Sequence, residues 1–185
     1  SVSASYAWSF RPILRAAIAG TQAVSACVCL DESGVSQPVA REGDFDSWAD
    51  ILPGMQHIAR EARRQRRPIP VRSVARYFRG VSGAPLAGDV RSAVAVPLAA
   101  GDRDVGIMWV LYPDRHFEEQ DSRLLTTLGA QAAVVYENSR LLTEAQSERG
   151  RLRAILASTS DPILVADQEG RLVLTNPAAE RVLGL

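Results

Sequence analysis

Residues 92–142 read SAVAVPLAAGDRDVGIMWVLYPDRHFEEQDSRLLTTLGAQAAVVYENSRLL, and this stretch decides the fold. Its first part carries two runs, 92–98 and 104–112, that are apolar at consecutive positions. Val94 and Val96 alternate with Ala93 and Ala95, and Ile107, Trp109 and Leu111 alternate with Met108 and Val110. Strands apolar on both faces belong in the middle of a sheet that is covered on both sides. Between them, Ala100-Gly-Asp-Arg103 has hairpin-turn chemistry, so the pair is expected to be antiparallel.

Residues 118–157 contain no proline and predict one helix, about 60 Å long at 1.5 Å per residue. Leu124, Leu128, Val135, Leu142, Leu152 and Leu156 fit the a and d positions of a heptad. Gln131, Asn138 and Arg149 interrupt the same seam. One small domain cannot bury so long a helix. It calls for a partner helix, most simply its own copy in a parallel homodimer. The alternative is two helices broken near Gly150.

Working toward the N-terminus, Phe10, Ile13, Leu14, Ala17 and Ile18 predict a helix over 7–18, with Pro12 in its first turns. A strand over 24–30 and a weaker one over 36–41 follow. Met55, Ile58, Ala59 and Ala62 form the apolar stripe of a helix over 55–66, which Pro68 and Pro70 end. Ser73 can then cap a further helical turn. Toward the C-terminus, 162–166 and 172–175 read as a hairpin, and Asn176-Pro177 as an N-cap and first helical residue.

The composition excludes several classes of function. The net charge is zero, so no global field draws the protein to nucleic acid or to an anionic membrane. No apolar run approaches the roughly 18 residues needed to span a bilayer, and no secretory signal pattern opens the sequence. All 21 basic residues are arginine, which excludes P-loops, Schiff-base lysines and the kinase ATP-pairing lysine. Cys27 and Cys29, the only cysteines, share one face of a strand. At that spacing an unstrained disulfide is excluded, and two cysteines alone cannot complete a zinc or iron–sulfur site. They read as small buried apolar residues in a reducing cytoplasm.

With these residues in view, 10–142 resembles a GAF domain. The two last strands, the phenylalanine and acidic helix start at Phe117–Glu119, and the ENSRL ending at 137–141 carry the likeness. Glu118 stands where the family usually has a Ser or Thr cap. Residues 152–185 resemble the opening of a PAS domain through Asp161, Ile163, Val165, Asp167, Gly170 and the run Asn176-Pro-Ala-Ala-Glu180. The resemblance implies an α+β fold: an antiparallel sheet of about six strands flanked by helices, a long C-terminal signalling helix and a truncated PAS hairpin. The expected organisation is a GAF-like body over 1–117, a linker helix over 118–157 and an incomplete PAS-like domain over 158–185.

The resemblance also directs the search for a ligand. Trp48, Tyr77 and Phe78 fall on the segments that line a GAF pocket, and plain core packing is the other reading of them. The cyclic-nucleotide subfamily's Asn-Lys pair is missing. The cysteines lie on the first strand, not where a bilin is attached. His57 and His116 are expected to face solvent, away from any haem. No Ser/His/Asp set or metal-ligand spacing appears. The basic run from Arg60 to Arg79 reads as a solvated helix face, with an anionic ligand or a partner surface as the alternative. No cofactor is predicted, an unknown small molecule is left open, and no nucleic acid or membrane partner is expected. The function so read is a non-catalytic, cytoplasmic sensory module of a bacterial signal-transduction protein. It dimerises and relays a signal through its coiled-coil helix to PAS and kinase domains of the same chain. A ligand-free dimerisation domain, or the input module of a diguanylate cyclase or phosphodiesterase, is the alternative.

Overall fold

The structure, a computed structural model, describes residues 2–32, 35–77, 90–114 and 117–184. Helix α1 (Val2–Thr21) leads to strands β1 (Ser25–Glu32) and β2 (Val35–Gly43). Then come α2 (Trp48–Ile51), a 3-10 turn (Leu52–Met55), α3 (Gln56–Gln65), β3 (Ile69–Val71) and a second 3-10 turn (Val74–Tyr77). After β4 (Ser92–Ala100) and β5 (Arg103–Tyr112) comes the long α4 (Glu119–Ser158), followed by β6 (Leu164–Ala166), β7 (Leu172–Thr175) and α5 (Pro177–Leu183). The chain divides into two compact units, Ser1–Asn138 and Ser139–Leu185.

In the first unit the sheet runs in the order β2-β1-β5-β4-β3, with every neighbouring pair antiparallel. The described residues thus form five strands in this sheet where the sequence predicts about six. As the double apolar pattern requires, β5 and β4 lie inside the sheet, joined as a hairpin from Ala100↔Arg103 to Ser92↔Tyr112. Strand parity sorts their side chains into two cores. Val94, Val96, Leu98, Met108, Val110 and Tyr112 join Phe10, Leu14 and Ala17 of α1 and Leu125, Ala132 and Ala133 of α4. Ala93, Ala95, Ile107, Trp109 and Leu111 join Trp48, Ile51, Met55, Ile58 and Ala62 on the other face. Each large side chain taken fully out of water contributes roughly 1.5–3 kcal/mol, which is what holds the three layers together.

Two details differ from expectation. Helix α1 starts at Val2, so Pro12 lies inside it and not in its first turns; the missing N–H leaves the Trp8 carbonyl without its i+4 donor. Helix α4 is continuous through Gly150, and its tight glycine is Gly129, where an added Cβ would sit 3.0 Å from the Pro97 carbonyl oxygen and Val96 Cγ1. A side chain there would have to push β4 or Val96 back by a few tenths of an ångström. At the start of α4, Asp121 Oδ2 accepts from the Glu118 N–H at 3.1 Å, a side-chain-to-backbone bond that supports the atypical cap.

Arginines at the end of α3 and at its C-cap tie it to the sheet. Arg63 pairs with Asp31 and, at 3.3 Å, with Asp104, while Arg66 donates to the Gly101 carbonyl at 3.0 Å. Arg64 pairs with Glu61, so this part of the basic run is already neutralised.

In the second unit β6 and β7 pair antiparallel, with Leu164↔Thr175 and Val165↔Leu174 in register. Asp167 Oδ1 closes the turn by accepting from the N–H groups of Glu169 at 3.1 Å and Arg171 at 2.8 Å, and Gly170 takes φ +79°. Asn176 caps α5, accepting from the Ala179 N–H at 2.9 Å with Pro177 at the first helical position.

Candidate functional site

The face of the sheet under α2 and α3 is where the sequence places its candidate pocket. Trp48 opens α2 and is 2% exposed; its ring meets Phe45 edge-on with centroids 5.4 Å apart. Its Nε1–H is buried without a hydrogen-bond partner. Tyr77 ends the second 3-10 turn, half-buried against the same cluster, with its ring 5.6 Å from that of His57. Gly54 lets the two turns meet: a Cβ there would lie 2.8 Å from the Tyr77 carbonyl oxygen. Trp48 and Tyr77 therefore belong to one cluster, and Phe78 lies outside the described residues. Sequence reasoning missed Phe45, Met55 and Trp109, which fill this interior alongside Trp48. Its register with Cys27 and Ala95 is what puts Trp109 on this face.

The floor of the same interior holds Cys27 and Cys29, both buried, with their Sγ atoms 3.9 Å apart. The hydrogen bond between them, and then burial, pushes the Cys27 thiol well above its ordinary value. A thiol so placed stays protonated and is a poor nucleophile and a poor metal ligand. His57 is exposed, and His116 lies outside the described residues. Among the described residues no group of three or more His, Cys, Asp or Glu side chains could hold a metal ion, and no helix is long and apolar enough to cross a membrane.

Two larger clefts open on the first unit. One, of about 420 Å³, lies between α1, the edge strand β2 and α2, and is lined by Arg11, Pro38, Arg41, Asp46 and Trp48. Its guanidinium groups are already paired, Arg11 with Glu42 at 3.2 Å and Arg41 with Asp46 at 3.3 Å. The other, of about 590 Å³, is an apolar groove between α1 and α4, lined by Pro12, Ile13, Thr127, Gln131, Val134 and Val135.

The residues of the predicted helix seam divide along α4. Leu128 is buried in the core against the sheet, and Val135 packs partly against it. Leu124 is at the edge of exposure, Asn138 is exposed and Leu156 is half-buried. Leu142 and Leu152 are 61% and 58% exposed. The first half of α4 turns Asp121, Leu125, Leu128 and Ala132 inward, so a seam passing through Leu128 cannot be wholly free for a partner. Val134, Leu141 and Ile155, absent from the predicted seam, are more than half exposed.

A family model described as a GAF domain matches residues 10–137, and one described as a PAS domain matches residues 150–185. No curated protein matches the chain. Among solved structures, the GAF-B domain of DevS from Mycobacterium smegmatis is 21% identical with a TM-score of 0.56, over 78% of this chain and 98% of that one. A domain described as part of a putative two-component sensor histidine kinase protein of Sinorhizobium meliloti is 19% identical with a TM-score of 0.57, over 75% and 94%. The PixJ GAF domain of Thermosynechococcus elongatus, in its blue-light-absorbing form, is 17% identical with a TM-score of 0.56, over 78% and 92%. At these identities the likeness is one of fold.

Proposed function

The chain belongs to the GAF domain family and continues into the beginning of a PAS domain, and from that premise we propose that it is the dimeric input module of a cytoplasmic two-component sensor histidine kinase. It is a sensory and regulatory module without catalysis of its own. It pairs with a second copy along α1 and α4 and relays a signal through α4 to the PAS and kinase domains of the same chain. The observation that carries the reading is the apolar groove between α1 and α4. Leu142 and Leu152, exposed further along α4, agree with it. Exposed apolar surface of this extent on helices is what association removes from water. The sensor-kinase neighbour of the same fold supports the choice of output. The relay uses the polar positions Gln131, Asn138 and Arg149, which keep two helix packings close enough in energy to switch between them.

A second reading is favoured by one observation. Phe45, Trp48 and Trp109, each 2% exposed, fill the interior where a ligand would sit. A domain of that kind dimerises without binding a small molecule. Native mass spectrometry of the purified chain, beside a denatured control, separates the cases. A dimer carrying extra non-covalent mass supports a ligand sensor, and a dimer of bare chains supports the second reading. A monomer overturns both.

A further inference from the structure

The side chain of Asn176 does more than cap α5. It is completely buried, and both ends of its amide are engaged. Oδ1 accepts from the Ala179 N–H at the start of α5 and from the Ile163 N–H just before β6, each at 2.9 Å. Nδ2 faces three carbonyl oxygens: Leu156 in the last turn of α4 at 3.2 Å, Thr159 at 3.4 Å and Asp161 at 2.9 Å. Two N–H hydrogens are thus shared among three acceptors, all in the segment that ends α4 or leaves it.

The last turn of any helix leaves carbonyls without intrahelical donors. Here the Ser158 and Thr159 hydroxyls both donate to the Ile155 carbonyl at 2.9 Å, and the next one, Leu156, is reached by Asn176 from across the hairpin. The backbone repeats the connection, because the Asn176 N–H donates to the Ile163 carbonyl at 3.2 Å. One side chain therefore touches the end of α4, the strap leading out of it, the first strand and the start of α5.

We infer that Asn176 is a two-ended latch: its acceptor end builds the hairpin–helix unit, and its donor end fastens that unit to the C-terminus of α4. Any rotation or fraying of the last turn of α4 moves the carbonyls that Nδ2 holds. The hairpin registers that movement through one buried residue. A helix end and a strand pair joined only by solvated loop would have no such coupling. The role of this movement as a signal rests on the proposed function, but the latch itself does not.

The two ends can be separated chemically. Asn176→Asp keeps an oxygen for the Ile163 and Ala179 N–H groups, and aspartate is a good N-cap. It removes the donor end and sets a carboxylate oxygen against three carbonyls. Asn176→Ala removes both ends. Hydrogen exchange of the full chain, read by mass spectrometry, is compared for wild type and the two variants. For Asn176→Asp, peptides covering 152–162 should exchange at least about tenfold faster, while α5 stays protected. For Asn176→Ala both regions should lose protection.

Two outcomes overturn the latch. One is wild-type exchange over 152–162 in Asn176→Asp. The other is equal loss across the hairpin and α5 in both variants, which would make Asn176 a part of the hairpin alone. A monomeric chain would defeat the proposed function and leave this comparison readable.

Discussion

Asp104 sits in an ion pair whose attraction is opposed by partial loss of water around its carboxylate. It lies 3.3 Å from Arg63 with its side chain 45% exposed, yet its pKa is raised above the ordinary 3.8, because partial desolvation offsets the pull of the guanidinium and nearby Asp31 adds repulsion. The geometry of the pair alone suggests stabilisation; the raised value indicates that the desolvation is the larger effect. The sign follows by linkage. A carboxyl whose folded pKa is raised binds its proton more readily in the folded state. Its charged form therefore costs stability above the folded value, and that cost is removed as pH falls through it toward the unfolded value. Asp104→Asn keeps the shape and removes the charge. The variant should melt no lower than wild type at pH 8, and any advantage should close as the pH approaches 4. Thermal denaturation at several pH values checks this. A variant that melts well below wild type at pH 8 and converges from beneath would mean the Arg63 attraction dominates.

At the scale of elements, two glycines on one helix make opposite predictions. A Cβ added at Gly150 would have nothing within 4 Å of it, whereas at Gly129 the β4 backbone and Val96 stand 3.0 Å away. Gly150→Ala should therefore gain up to about 1 kcal/mol of helix stability. Gly129→Val should lose about 1–3 kcal/mol by pushing α4 off β4. Chemical denaturation followed by far-ultraviolet circular dichroism measures both, and equal responses would contradict the placement of α4 on the sheet. Much of this architecture is legible in the sequence: β4 and β5 announce themselves by long runs of consecutive apolar residues, and α4 by its length without proline. The candidate site is less so. A strand apolar on both faces offers no parity to read, so which side Trp109 faces is fixed only by its register with Cys27 and Ala95. Asn176 reads correctly as a cap, but its other partners are backbone carbonyls, which leave no mark in a sequence. The start of α1 is hidden for a different reason, since the short polar and small residues at 1–5 carry no apolar period.

For the whole molecule, the division into Ser1–Asn138 and Ser139–Leu185 has an optical consequence. All three tryptophans, Trp8, Trp48 and Trp109, lie in the first unit, and Trp48 and Trp109 are buried in its interior. The second unit holds the end of α4, α5 and a hairpin whose Leu164, Val165, Leu172 and Val173 are exposed. A two-stranded hairpin with so little burial is marginal in water, and it rests on the latch at Asn176 and on whatever α4 packs against. Heating should therefore remove part of the helical signal at 222 nm before tryptophan fluorescence changes. If α4 pairs with a second copy, the earlier transition should move to higher temperature as protein concentration rises, because association stabilises only what it binds. The Asn176→Asp variant should lower that transition and leave the tryptophan transition in place. Circular dichroism and fluorescence recorded on the same samples at two concentrations decide the matter. Coincident curves would mean that the chain unfolds as one cooperative body, and separate curves with no concentration dependence would mean that the end of α4 stands without a partner.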